Sequence, residues 1–154
     1  MEYRNYRVKS PVKSFRDLEV YQKTIQLSDE ITNLPFLNNA QFENDNKEIK
    51  QIAESIPKLI AEAYGDKFDS KELAHKKLTD SVTLITDAIT KIDLFRQRFT
   101  DNNKEAMEVL TKLLTQYQYQ KIKVLNLRRA WDRVYTNYDK NERGKFSRGA
   151  GKTD

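Results

Sequence analysis

The chain has no cysteine. Disulfides, thiolate metal ligands and thiol nucleophiles are therefore excluded. It has one histidine, His75. One imidazole makes no histidine metal cluster, and the sequence marks no nucleophile beside it. Only four glycines and three prolines punctuate 154 residues, which is too little turn chemistry for a β-sandwich or a dinucleotide-binding sheet. Long apolar runs are missing too, and the longest falls far short of the ~20 residues that span a bilayer. The opening segment, Met1 to Ser10, is polar and basic with no apolar stretch, so it does not read as a signal peptide. The expected location is the cytoplasm, with no membrane partner.

What is present suits helices. Charged residues make up 33% of the chain and hydrophobic residues 38%, a balance typical of amphipathic helices in one domain. A domain of this length buries roughly 70% of its unfolded surface and folds without staples. The net charge of +5 is unevenly placed: residues 1–13 carry +3, residues 14–120 carry −4, and residues 121–154 carry +6. A mildly acidic body with two basic ends points to solubility or to contact with nucleic acid.

The periodicity predicts four helices, near 15–34, 46–67, 70–99 and 103–139. They follow a basic arm over 1–14 and precede a basic, disordered tail over 140–154. Ser14 is the expected cap of the first helix, with Asp17 and Glu19 placed where the helix dipole favours acids. Leu18, Tyr21, Ile25, Leu27, Ile31 and Leu34 form its apolar face, and Pro35 ends it. A turn follows at Asn38–Gln41, and Asn44-Asp45-Asn46 offers the next cap. Ile49, Ile52, Ala53, Ile56, Ile60, Ala63 and Tyr64 recur at helical spacing. Pro57 inside that pattern removes a backbone donor and predicts a kink, and Gly65 falls near the helix end. Asp69-Ser70 caps a third helix that runs from Ala74 through Leu78, Val82, Ile85, Ile89, Ile92 and Phe95 to Phe99, a rod of roughly 45 Å. The fourth helix carries a heptad stripe of Ala106, Leu110, Leu113, Tyr117, Gln120, Val124, Leu127, Trp131, Val134 and Tyr138. A second stripe of Met107, Leu114 and Leu125 could serve another subunit. Short connections make neighbouring helices antiparallel, so the fold class is an all-α, up-down four-helix bundle.

Catalytic and cofactor motifs do not emerge. Glu54 with Glu62, and Asp80 with Asp87, share helix faces. Two-metal bundle sites add Glu-x-x-His pairs, and none occurs here, so these carboxylates read as a solvated face. Gly149-Ala150-Gly151-Lys152-Thr153 imitates the end of a phosphate-binding loop, but Phe146 stands where that motif needs its first glycine. No enzyme, metal or cofactor is expected.

The basic ends carry the remaining signal. Tyr3-Arg4-Asn5-Tyr6-Arg7 interleaves aromatics with arginines. Arg128, Arg129, Arg133, Lys140, Arg143, Lys145 and Arg148 populate the last helix and tail, with Tyr135, Tyr138 and Phe146 among them. Cations pair with phosphates and aromatic rings stack on unpaired bases. Against this, Trp131 and Tyr138 fit the heptad and read better as core.

Three segments resemble one known family. They are Phe15-Arg16-Asp17-Leu18-Glu19-Val20-Tyr21-Gln22-Lys23; Ala53-Glu54-Ser55-Ile56-Pro57-Lys58-Leu59-Ile60-Ala61-Glu62-Ala63-Tyr64-Gly65; and Ser70-Lys71-Glu72-Leu73. They are similar to the opening, helix-two and helix-three motifs of the bacterial four-helix bundle proteins encoded by intervening sequences in ribosomal RNA genes. The match spans about residues 15–100. Leu59 replaces a usual Asn, Ala63 a usual Gly, and Asp66 stands where a basic residue is common. That family is related to the accessory variability determinant of diversity-generating retroelements. The resemblance implies a homo-oligomeric ring, a pentamer, with RNA or DNA and a reverse transcriptase as partners. The expected function is a non-enzymatic nucleic-acid-binding accessory protein. The alternative is a structural or protein-interaction module that binds no nucleic acid. The residues expected to bind are Arg4, Arg7, Arg128, Arg129, Arg133, Lys140, Arg143, Lys145 and Arg148.

Overall fold

The computed structural model describes residues 12–34, 43–98 and 103–150, with side chains described as far as Val134 in the last helix. Among the described residues there are four α-helices and no strand: α1, Glu19–Thr32; α2, Glu43–Asp66; α3, Lys71–Arg98; and α4, Lys104–Ala150. A short 3-10 turn, Phe15–Asp17, precedes α1.

The helix starts follow from local chemistry. Ser14 caps the 3-10 turn rather than α1: its hydroxyl accepts from the Arg16 N–H, and the Asp17 carboxylate accepts from the Ser14 N–H at 3.2 Å. Leu18 is then extended, and the α-helix opens at Glu19, four residues later than the cap alone predicts. Ser70 caps α3 as expected, its hydroxyl accepting from the Leu73 N–H at 3.2 Å. Asn103 does the same for α4 through the Ala106 N–H at 3.1 Å. α2 begins at Glu43, so Asn44, Asp45 and Asn46 lie inside its first turn instead of capping it, and Asn46 is buried. α2 continues unbroken through Pro57, which is itself buried.

Ion pairs give the register. Arg98 bonds Asp45 at 2.8 Å, Lys91 bonds Glu48 at 2.8 Å, and Lys77 engages Glu62 and Asp66. The numbers on α3 fall as those on α2 rise, so the two helices are antiparallel. Thr79 meets Arg128 and His75 meets Asp132, so α3 and α4 are antiparallel as well. α1 lies against α4 in the same sense: Leu34 shares a hollow with Val109 and Leu113, while Lys23 shares another with Tyr119. The result is an up-down-up-down bundle.

The core follows the predicted stripes with three corrections. Leu27, Ile31, Ile49, Ile56, Ile60, Leu78, Ile85, Ile92, Leu110, Leu113, Tyr117 and Val124 are buried together. Ile25 is exposed, because Val20, Thr24, Leu27, Ser28 and Ile31 define the buried face of α1 and a helical step of ~100° turns position 25 away from it. Val134 fits the core stripe in sequence, yet it is 65% exposed. The reason is register: with His75 beside Asp132, α3 begins only one turn further on at Lys71, so α4 runs out of partners. Tyr138 lies past that point, and its side chain falls outside the described residues. The second stripe of α4 is only partly open to solvent, with Met107 lining a groove. Met107, Leu114 and Leu125 are half-buried, and Arg128 and Asp132, on the same face as Leu125, bond α3.

The helical backbone of α4 reaches Ala150, whereas the apolar periodicity predicts an end near 139 and a disordered tail beyond. Residues 140–150 contain no proline, and each of the two glycines there, Gly144 and Gly149, costs a helix only about 1 kcal/mol. From about 137 to Ala150 the helix projects beyond the bundle by roughly 20 Å at about 1.5 Å per residue. No helix among the described residues is long and apolar enough to cross a membrane.

Candidate nucleic-acid interface

The end of the bundle formed by the α2–α3 turn holds Val12, the first described residue, near the point where α4 runs past the start of α3. Tyr64, on the last turns of α2, is nearly buried, and its hydroxyl donates to the Val12 carbonyl at 3.3 Å. That bond fixes the point from which residues 1–11 depart. The Tyr64 ring lies 6.5 Å from the Trp131 ring, centroid to centroid. Trp131 in turn marks the level at which α4 begins to leave the bundle. The root of the N-terminal segment and the start of the basic extension are therefore adjacent. Arg4 and Arg7 lie outside the described residues. Arg7 is five residues from Val12, so it is tethered within about 18 Å of it by chain length alone.

The three described arginines of the expected site are not equivalent. Arg128 is half-buried and donates to the Thr79 hydroxyl at 3.0 Å, so it ties α4 to α3. Arg129 and Arg133 are exposed. Arg133 makes one long bond to the Arg129 carbonyl, 3.5 Å, through its Nε, leaving its terminal nitrogens directed elsewhere. Lys140, Arg143, Lys145 and Arg148 belong to the projecting backbone of α4, with side chains outside the described residues. Steps of four, seven and three place positions 129, 133, 140 and 143 on one helix face. Positions 145 and 148 fall on another.

Two residues at this end carry no signal in the apolar stripes. The Lys67 ammonium stands 4.7 Å from the Tyr64 ring centre, 5.0 Å from that of Phe68 and 5.1 Å from that of Trp131. Such cation–ring distances are attractive. Burial among the rings lowers the Lys67 pKa from the ordinary lysine value. Phe68 meets Tyr64 edge-on at 5.5 Å, yet 70% of its surface is exposed. An aromatic residue in a polar inter-helix turn, Lys67-Phe68-Asp69, is the signal that could have found it. Helical periodicity does not reach a turn residue, so a search for stripes misses it.

The remaining polar groups are structural. His75 Nδ1 is 3.1 Å from both Asp132 carboxylate oxygens, in an exposed contact joining α3 to α4. Of the carboxylates that share helix faces, Glu62 pairs with Lys77 and Asp80 with Lys76, while Glu54 and Asp87 are exposed. Lys77 is held above the ordinary lysine pKa, chiefly by its hydrogen bond to Asp66. No group of three potential metal ligands stands together among the described residues. Grooves of about 300 and 530 Å³ run between α1 and α4; Gln, Thr and apolar side chains with Lys23 line the first, and Asp29, Glu30, Asn33 and Lys112 join apolar side chains in the second. On the outer surface of α4, Tyr119 and Ile122 are 54% and 56% exposed. Neither protein-family models, nor curated proteins, nor solved structures give a significant match to this chain.

Proposed function

We propose that this protein is a non-enzymatic nucleic-acid-binding protein that works from the basic end of its bundle. The observation that carries the reading is that Val12, where an N-terminal segment of charge +3 joins the bundle, stands near the root of the basic C-terminal part of α4. Tyr64 holds Val12 while lying against Trp131. A concentrated positive field at the end of an acidic rod favours a polyanion over a compact acidic protein, because repeated phosphates can be met by repeated cations. Arg129 and Arg133 supply exposed charge at the root of the extension. Lys140 and Arg143 continue the same face, and Arg4 and Arg7 are tethered alongside. Phosphate contacts dominate such binding, so it is sequence-tolerant and salt-sensitive.

Assembly into a homo-oligomeric ring, a pentamer by the resemblance of its motifs, belongs to the same proposal. Its support here is the exposed Tyr119 and Ile122 on the outer surface of α4. A ring would repeat the basic end in every subunit. The resemblance also names a reverse transcriptase as a partner, which co-purification tests.

The decisive experiment changes Arg129 and Arg133 to Gln together and, separately, truncates the chain after Asp139. Anisotropy of labelled RNA and DNA at two salt concentrations reads the outcome. Both variants should bind more weakly. The arginine variant should show a shallower salt dependence, by about 0.9 on logarithmic axes for each duplex phosphate it no longer neutralises. Arg128 is left in place because it bonds Thr79. If both variants bind as tightly as the parent, the basic end is a solvated terminus, and the chain reads as a protein-interaction module.

A further inference from the structure

Phe68, Trp131 and Val134 border a hollow of about 240 Å³ with Lys67 in its wall. Its chemistry is specific. Phe68 presents a ring that is 70% exposed, with its edge-on contact to Tyr64, at 85° between planes, on one side. Val134 is 65% exposed and borders the hollow from α4. Two exposed apolar side chains beside the Trp131 ring make one contiguous apolar surface that a flat ring can cover.

Lys67 narrows the choice of occupant. Three aromatic rings surround its ammonium and partly strip its water. An anion placed beside it restores favourable interaction that burial removed. A flat apolar slot next to a desolvated cation matches a flat ring joined to an anion, which is the chemistry of one nucleotide unit.

We infer that this hollow takes a single unpaired nucleobase, stacked on Phe68 and Trp131 with its phosphate at Lys67, so that the protein prefers single-stranded over duplex nucleic acid. The inference rests on the nucleic-acid reading above and sharpens it. Bases stacked inside a duplex do not offer a free face, whereas a single strand does. Arg129 and Arg133, within one turn of Trp131 along α4, then track the adjoining backbone.

Trp131 is the only tryptophan in the chain, so its fluorescence reports on this hollow alone. The full chain is titrated with oligothymidylate, with the same backbone carrying abasic sites, and with a duplex of equal length. Oligothymidylate should quench Trp131, and the other two should not. Phe68→Ala should weaken oligothymidylate binding roughly ten-fold, the loss expected for one stacked base, with duplex affinity and melting temperature unchanged. Lys67→Gln should weaken oligothymidylate binding and leave duplex affinity unchanged. Equal quenching by the abasic strand overturns the proposal, as does parental affinity in Phe68→Ala. If duplex and abasic strands bind with salt sensitivity while Trp131 stays unquenched and Phe68→Ala is neutral, the basic-end reading stands and the hollow is a protein-contact surface. If none of the three ligands binds, both readings fail together.

Discussion

Replacing Tyr117 with Phe should stabilise the protein. The Tyr117 ring sits on the core stripe of α4 and is 0% exposed, and its hydroxyl has no hydrogen-bond partner among the described residues. A buried hydroxyl without a partner costs about 1–3 kcal/mol in lost hydration. Phe keeps the ring and removes only the oxygen, so little packing is lost in exchange. The net gain should be about 1 kcal/mol, which for a chain of this size raises Tm by roughly 2–4 °C. The phenol also supplies a pH test. Burial, with the Glu30 charge adding to it, raises the Tyr117 pKa above its ordinary value of 10.0. A group raised in the folded state contributes stability that is fully present below its unfolded pKa and is lost as pH climbs toward the folded one. Phe does not ionise, so the advantage of the variant should widen above pH 10.0. Guanidinium unfolding followed by far-ultraviolet circular dichroism, at one protein concentration because association shifts apparent stability, measures both effects. A variant less stable than the parent at neutral pH means that the hydroxyl has a partner. A gap that stays flat above pH 10.0 means that the phenol ionises as freely in the folded state as in the unfolded one.

Ile60 is 0% exposed in the core cluster, so Ile60→Ala should cost about 2–5 kcal/mol by the same unfolding assay, through reduced burial and the cavity left behind. Ile122 is 56% exposed, so Ile122→Glu should leave the thermal unfolding of the isolated bundle nearly unchanged but shift sedimentation toward the monomer; an unshifted oligomer would place the subunit contact elsewhere. Truncation after Asp139 removes only helix that lies beyond the α3 register, so melting temperature should change little even as nucleic-acid affinity falls. A large drop in melting temperature would mean that the extension packs on the bundle.

Much of this molecule was legible in its residues because helix formation is local. Spacings of three and four put Leu78, Ile85 and Ile92 on one face of α3, and Leu110, Leu113, Tyr117 and Val124 on one face of α4, whatever they later touch. The Ser70 cap is local in the same way, completed three residues along the chain. Other features depended on what lies across the gap. The α4 stripe continues past Trp131 in sequence, but Val134 is exposed because α3 begins at Lys71 and no other described helix extends further. Arg128 reads in sequence as one of three equivalent arginines, yet Thr79, 49 residues away, half-buries it and takes its hydrogen bond. Phe68 gives no periodic signal; Tyr64, four residues back, meets its ring locally, and only antiparallel packing brings Trp131 to the same hollow. The candidate site is of this second kind. Its charges are visible along the chain as two separate basic ends. That Val12 and the last described side chains of α4 stand at the same end of the bundle follows from the even number of antiparallel helices, and from the Tyr64 hydroxyl that bonds Val12.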